Sequence, residues 1–194
     1  MYALVQSIGL IGLDGFPVTV ETDLSGGLPG VETVGLPDAA VRESKERVRA
    51  AIRNAGFTFP AARITINLSP ADKRKEGTLY DLPIAVSVLI ASGQIERPVP
   101  EGCVLFGELS LDGLVRPVSG VLPMVIDAHN RGTNVFFLPA DNAEEAACIP
   151  GIDVYPVSSL RSIAEHLNGN VLIERAPEHA WSRDDVRYTS DFPT

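Results

Sequence analysis

Hydroxyls, lysines and carboxylates crowd one short stretch of this chain. Between Leu68 and Leu89 an apolar strand stops at Ser69-Pro70, a loop carries Asp72, Lys73, Arg74, Lys75 and Glu76, and an apolar helix follows. A hydroxyl nucleophile with a lysine base would suit such a junction, because burial or a neighbouring charge lowers a lysine pKa until the amine accepts a proton. Asp72, Glu76 and Asp81 could instead hold a divalent ion, since hard cations take oxygen ligands. The simpler arrangement has Asp81 capping the next helix while Asp72 and Glu76 pair with the basic cluster.

Other chemistries find few of the residues they need. A phosphate cradle of the GxxxxGK[ST] type is absent, and the only lysines are Lys45, Lys73 and Lys75. His129 closes a helix, His166 lies in the last helix and His179 in the C-terminal stretch, and no serine sits in a GxSxG elbow. Cys103 and Cys148 are far apart and form neither a CxxC pair nor a disulfide framework.

Basic residues give a second pattern. Arg42, Lys45, Arg49 and Arg53 fall on one helical stripe, opposite Val41, Ser44, Val48, Ala51, Ile52 and Ala55. With Lys73, Arg74 and Lys75 they make seven candidate contacts for a phosphate backbone. The alternative is a solvated helix face whose Glu43–Arg47 and Arg42–Glu46 pairs satisfy themselves at i,i+4 spacing.

The elements that must position these residues follow from periodicity. Tyr2 to Gly12 and Phe16 to Leu24 read as a hairpin around Leu13-Asp14-Gly15, and Val31 to Val34 as a further strand. A helix starts with Pro37 in its first turn, has Asp38 favouring its dipole, and runs to about Asn54. Arg63 to Leu68 alternates as a strand, and Leu82 to Ala91 is a buried helix. Strands are then expected over Cys103 to Glu108, Leu114 to Pro117, Val135 to Leu138 and Asp153 to Pro156. Helices are expected over Val121 to Asn130, Ala143 to Cys148 and, capped by Ser158-Ser159, Leu160 to Leu167. The class is mixed α/β. From about Glu174 the chain turns charged and aperiodic, which predicts one domain over residues 1–173 and a linker over 174–194.

The 194 residues are enough for one domain with a full core, and 45% apolar with 21% charged is ordinary globular composition. A net charge of -9 confines any nucleic-acid contact to a local patch or to a larger assembly. The start lacks the features of a signal peptide, and no apolar run reaches the roughly 18 to 20 residues that span a bilayer, so the expected location is cytoplasmic, with no membrane partner.

Four ordered strings carry a resemblance over nearly all of Tyr2 to Gly169: "LPGVETVGLPDAAVRESKERVRAAIRNAGF", "ITINLSPADKRKEG", "YDLPIAVSVLIAS" and "GELSLDGLVRPVSGVLPMVIDAHNRG". Together they resemble the N-terminal domain of the magnesium-chelatase-like, competence ComM (YifB) family. That domain is similar to the proteolytic domain of Lon and to the C-terminal domain of the recombination protein RadA. The resemblance implies a Lon protease domain-like fold of the ribosomal protein domain 2-like superfold. It also implies a downstream AAA+ ATPase module that would bring ATP and magnesium, with no cofactor in this segment. The family role implied is a ring-forming helicase engaging DNA in processing or natural transformation.

The same resemblance tests the peptidase chemistry. Lon uses a serine nucleophile and a lysine base. Matching the helices without a gap puts Tyr80 at the serine position, and Met124 or Val125 at the lysine position. None of these can do the chemistry, and no lysine follows Lys75. The domain is therefore expected to have no catalytic residues. The rival expectations are an active serine peptidase using Ser119 or Ser87, and a purely structural oligomerisation module.

Overall fold

The computed structural model describes residues 1–178. Strands β1 (Tyr2–Ile11), β2 (Asp14–Ser25), β3 (Gly30–Val34) and β4 (Arg63–Ser69) form one sheet in the order β1-β2-β4-β3. The β1-β2 hairpin is antiparallel from Tyr2 opposite Asp23 to Ile11 opposite Asp14, and β3 runs parallel to β4. Its tip is Gly12-Leu13, so Asp14 and Gly15 belong to the strand rather than to the expected turn. Period-two alternation sends Val5, Val18, Val20, Ile64, Ile66 and Leu68 into the core.

Two helices cover that inner face. In α1 (Ala39–Asn54), Val41, Ser44, Val48, Ala51 and Ile52 are buried, as the spacing predicts, while Ala55 is only half-buried and serves as the C-cap. Asp38 is the N-cap itself, its side chain accepting from Val41 N at 2.8 Å, and Pro37 precedes the helix instead of opening it. Almost every side chain of α2 (Asp81–Ala91) is buried, because it packs between the sheet and the second half of the molecule.

That second half is a parallel sheet, β5 (Cys103–Leu105), β8 (Val135–Pro139) and β9 (Asp153–Val157), in the order β5-β8-β9. The strand expected over Cys103 to Glu108 breaks at Phe106-Gly107. Gly107 N donates to Leu79 O and its own carbonyl accepts from Leu82 N, so the backbone leaves the sheet to bind the start of α2. It resumes as a small hairpin, β6 (Glu108–Leu109) with β7 (Val115–Arg116). Helix α3 (Val121–Asn130) packs Val121, Met124, Val125 and Ala128 into a second core cluster with Ile8, Phe106 and Phe136. The expected helix over Ala143 to Cys148 is shorter, a 3-10 turn at Ala140–Asn142 followed by α4 (Ala143–Ala146). Helix α5 (Leu160–Asn168) starts with a capping box between Ser159 and Ser162.

Beyond α5 the chain stays attached. Ile173 N donates to His166 Nδ1 at 2.8 Å, Ala176 N to Val154 O at 2.8 Å, and Arg175 pairs with Asp153 at 2.6 Å. The chain expected to leave the domain at Glu174 is thus still bound at Ala176. His179 and the rest of the expected linker lie outside the described residues. No helix among the described residues is long and apolar enough to cross a membrane.

Candidate functional site

The loop between β4 and α2 is built on a buried lysine. Lys75 is fully buried, and its ammonium donates to Pro70 O and, at 2.7 Å, to Gly35 O. Its backbone pairs with the segment before α1, Lys75 N to Leu36 O and Asp38 N to Lys75 O, both at 3.0 Å. Gly35 is required here, since a Cβ at its φ of 103° would stand 2.1 Å from Leu68 O. Lys75 therefore holds the loop to the core and is unavailable to DNA, which corrects the expectation for this residue. Desolvation pulls its pKa down, opposed by Asp72. We expect Lys75→Ala to strand the two carbonyls and to cost about 1–3 kcal/mol of stability, read as a lowered Tm.

Of the two arrangements open to the loop carboxylates, pairing with the basic cluster holds for Glu76, while Asp81 takes neither role. Glu76 pairs with Arg74 at 3.5 Å on the surface. Asp81 does not cap α2: the N-cap is Tyr80, and its side chain makes no capping bond. Asp81 instead sits buried in the first turn, bonded by Arg47 Nε at 2.7 Å, Arg47 Nη2 at 3.0 Å and Leu109 N at 3.1 Å. Arg47 is thereby committed to Asp81 and not to Glu43, as the helix-face reading expected. Burial outweighs these bonds and pushes the Asp81 carboxyl up to about 6. Among the described residues no group of three or more His, Cys, Asp or Glu side chains is arranged to hold a metal ion.

Above this layer lies an open cleft of about 510 Å³ lined by Asp38, Glu76, Thr78, Glu108, Ser119 and Met124, with Leu10 and Leu79 as apolar wall. Tyr80 is 1% exposed, and its hydroxyl converges with Phe16 on Gly9, where a Cβ would stand 2.5 Å from each. Met124 is a core residue at the cleft floor, and Val125 is fully buried. Ser87 is buried, 2.6 Å from Thr22 Oγ1 and donating to Ile84 O at 2.8 Å. Ser119 is exposed in the cleft. Thr78 Oγ1 donates to Glu108 Oε2 at 2.6 Å, a pair the sequence left unnoticed because its members lie 30 residues apart. His129 is bonded to Asn134 and His166 to Ile173, so neither imidazole is spent on a cleft hydroxyl. The cleft thus brings together hydroxyls and carboxylates but no lysine or histidine. We expect casein and short fluorogenic peptides to be left uncleaved, at the rate of a Ser119→Ala control.

The remaining basic residues differ in exposure and surroundings. Arg42, Lys45, Arg53 and Arg74 are exposed. Arg42 of α1 and Arg74 of the loop line the same shallow pocket, beside Leu36, Ala39 and the carboxylate of Asp38. Two stretches some 30 residues apart in sequence thus meet. Lys73 is half-buried, with Nζ 5.0 Å from the Phe16 ring centre, and Arg49 is half-buried, with its guanidinium 5.1 Å from that of Phe59.

Residues 20–142 match the family described as subunit ChlI of Mg-chelatase. The chain belongs to that family. It is 40% identical to YifB of Escherichia coli over 93% of its own length and 36% of that protein's. It is 39% identical to competence protein ComM of Haemophilus influenzae over 91% of its length and 34% of that protein's. Lon protease 2 of Bacillus subtilis is 26% identical over 79% of this chain and 28% of its own. The chain spans about a third of the length of the curated relatives YifB and ComM. The mixed α/β architecture of this ChlI-family chain is Lon domain-like.

Proposed function

We propose that this ChlI-family chain is a non-proteolytic, Lon-like N-terminal domain of a ComM-type AAA+ ATPase, and that it engages nucleic acid through the surface running from Arg74 through Arg42 to Arg53. The AAA+ module would lie outside this chain and bring ATP and magnesium, and ring assembly with that module would gather the patches of several copies. One observation carries the reading: Arg42 and Arg74 line one pocket, which turns two separate basic runs into a single surface. The cleft holds Asp38, Glu76 and Glu108 with no cation among its lining residues, whereas in the belt Asp38 faces Arg42 and Arg74, and Glu76 is met by Arg74; the belt is therefore the more favourable of the two for phosphates. Many weak patches held in a ring gain avidity that one domain lacks, consistent with a net charge of -9 per chain.

Fluorescence anisotropy of labelled DNA tests the proposal. The wild-type chain should bind at low salt, with log K falling linearly against log salt. The Arg42→Gln/Arg74→Gln double variant should weaken binding and flatten that slope, whereas Lys75→Ala should change Tm and leave the slope alone. Binding by the wild type that ignores salt and both arginines would overturn the assignment.

A further inference from the structure

The basic stripe of α1 does not end at the helix. Gly56 follows the C-cap, and a Cβ there would stand 3.6 Å from Nη1 of Arg161, an exposed residue in the first turn of α5. The turn at Leu111 to Gly113 ties the start of α5 to α1 as well: Leu160 N donates to Gly113 O, and Asn54 Nδ2 donates to Leu111 O at 2.6 Å. Arg161 therefore adds an exposed cation at the C-terminal end of α1, the end that carries Arg53. Arg42 to Arg53 alone covers roughly 16 Å along the helix axis, the reach of a few successive nucleotides.

Within the stripe, Arg49 differs from its neighbours. Its guanidinium lies over Phe59, and its Nε is buried without a hydrogen-bond partner. The ring beneath it is held in place, because the Phe59 loop is clamped by Gln94, which accepts from Thr58 N and donates to Thr58 O, both at 2.8 Å. Phe59 packs against the core on one side and carries the Arg49 guanidinium on the other, so the guanidinium is the face left to an unpaired base, which stacks there while the cations follow the phosphates. A duplex keeps its bases stacked on each other and cannot use such a platform.

We infer that the belt takes an unpaired polynucleotide, with a base stacked at Arg49–Phe59 and a phosphate held at Arg161. This rests on the nucleic-acid reading above and specifies the form of its ligand. The experiment compares the wild-type chain with Phe59→Leu, Arg49→Lys and Arg161→Gln on a labelled 20-nucleotide single strand, the matching duplex and an RNA of the same sequence, across salt. Thermal melts confirm that each variant is folded. Phe59→Leu keeps apolar bulk and should lose about fivefold or more in single-strand affinity, with duplex binding unchanged. Arg49→Lys keeps the charge but not the plane and should do the same without altering the salt slope. Arg161→Gln should flatten the single-strand slope by about 0.7. Equal binding of the RNA assigns the site to unpaired polynucleotides in general, and weaker binding assigns it to DNA; either supports the inference. Equal losses on single strand and duplex, or an unchanged slope in Arg161→Gln, overturn it while leaving nucleic-acid binding intact. Failure of the wild type to bind any of the three overturns both.

Discussion

Arg47→Ala should lower the free energy of unfolding by about 3–5 kcal/mol near pH 7, because it leaves a buried carboxylate without its cation. Asp81 is 1% exposed as a side chain and Arg47 19%, so water cannot take over the lost bonds. The same carboxylate accepts from Leu109 N, so the loss also loosens the β6 hairpin against α2. The effect depends on pH in a defined sense. Burial raises Asp81 from its ordinary 3.8 to about 6, so the folded chain holds that proton more tightly than the unfolded chain. Its contribution to stability is full below pH 4 and is lost as pH rises through 6. Without Arg47 the carboxyl moves further up, and protonation removes most of the penalty. The deficit of Arg47→Ala against wild type should therefore be largest at pH 8 and shrink markedly at pH 5. Urea unfolding at the two values measures it. Equal deficits would mean that Arg47 stabilises by packing and not by charge.

Tyr80→Ser is the second large effect. The change places a serine where the Lon resemblance leads us to expect the nucleophile, yet it should give no hydrolysis and cost about 3–5 kcal/mol, the range for emptying a large aromatic site. Tyr80 fills the space between Gly9, Phe16 and the start of α2 and is 1% exposed. Its phenol is held well above the ordinary 10.0, chiefly by desolvation, so it stays protonated near neutral pH and supplies no phenolate nucleophile. The counterpart is Gly9→Ala, which adds one methyl where two side chains already converge and should cost about 1–3 kcal/mol. A Tyr80→Ser variant as stable as wild type, or one that cleaves casein, would refute the view that packing has taken over this position. Thermal melts and a casein assay decide both points.

The regular elements were legible because their signals are local. Alternation marked β4, a continuous apolar run marked the buried α2, and the 3.6 period of α1 named its five buried residues. The Ser159 cap and its helix were readable for the same reason. What escaped were pairings set by tertiary contact. Nothing local distinguishes Lys75 from Arg74, yet one backbone turn directs Lys75 inward to Gly35 O and leaves Arg74 on the surface. Asp81 looked like a cap because it precedes an apolar helix, and only the approach of α1 makes it the partner of Arg47. The break at Gly107 depends on hydrogen bonds to Leu79 and Leu82, which an apolar run does not announce. The meeting of Arg42 with Arg74, and of Arg53's helix end with Arg161, likewise required the fold.

Photo-crosslinking distinguishes nucleic acid lying along the α1 belt from nucleic acid held in the cleft. A bromodeoxyuridine-substituted single strand would be irradiated with the 194-residue chain and the adducts mapped by mass spectrometry. Adducts are expected on peptides spanning residues 39–59 and 71–77, suppressed by high salt. Adducts confined to the cleft wall around Glu108 and Ser119, or to the outer face of the four-stranded sheet, would contradict binding along the belt.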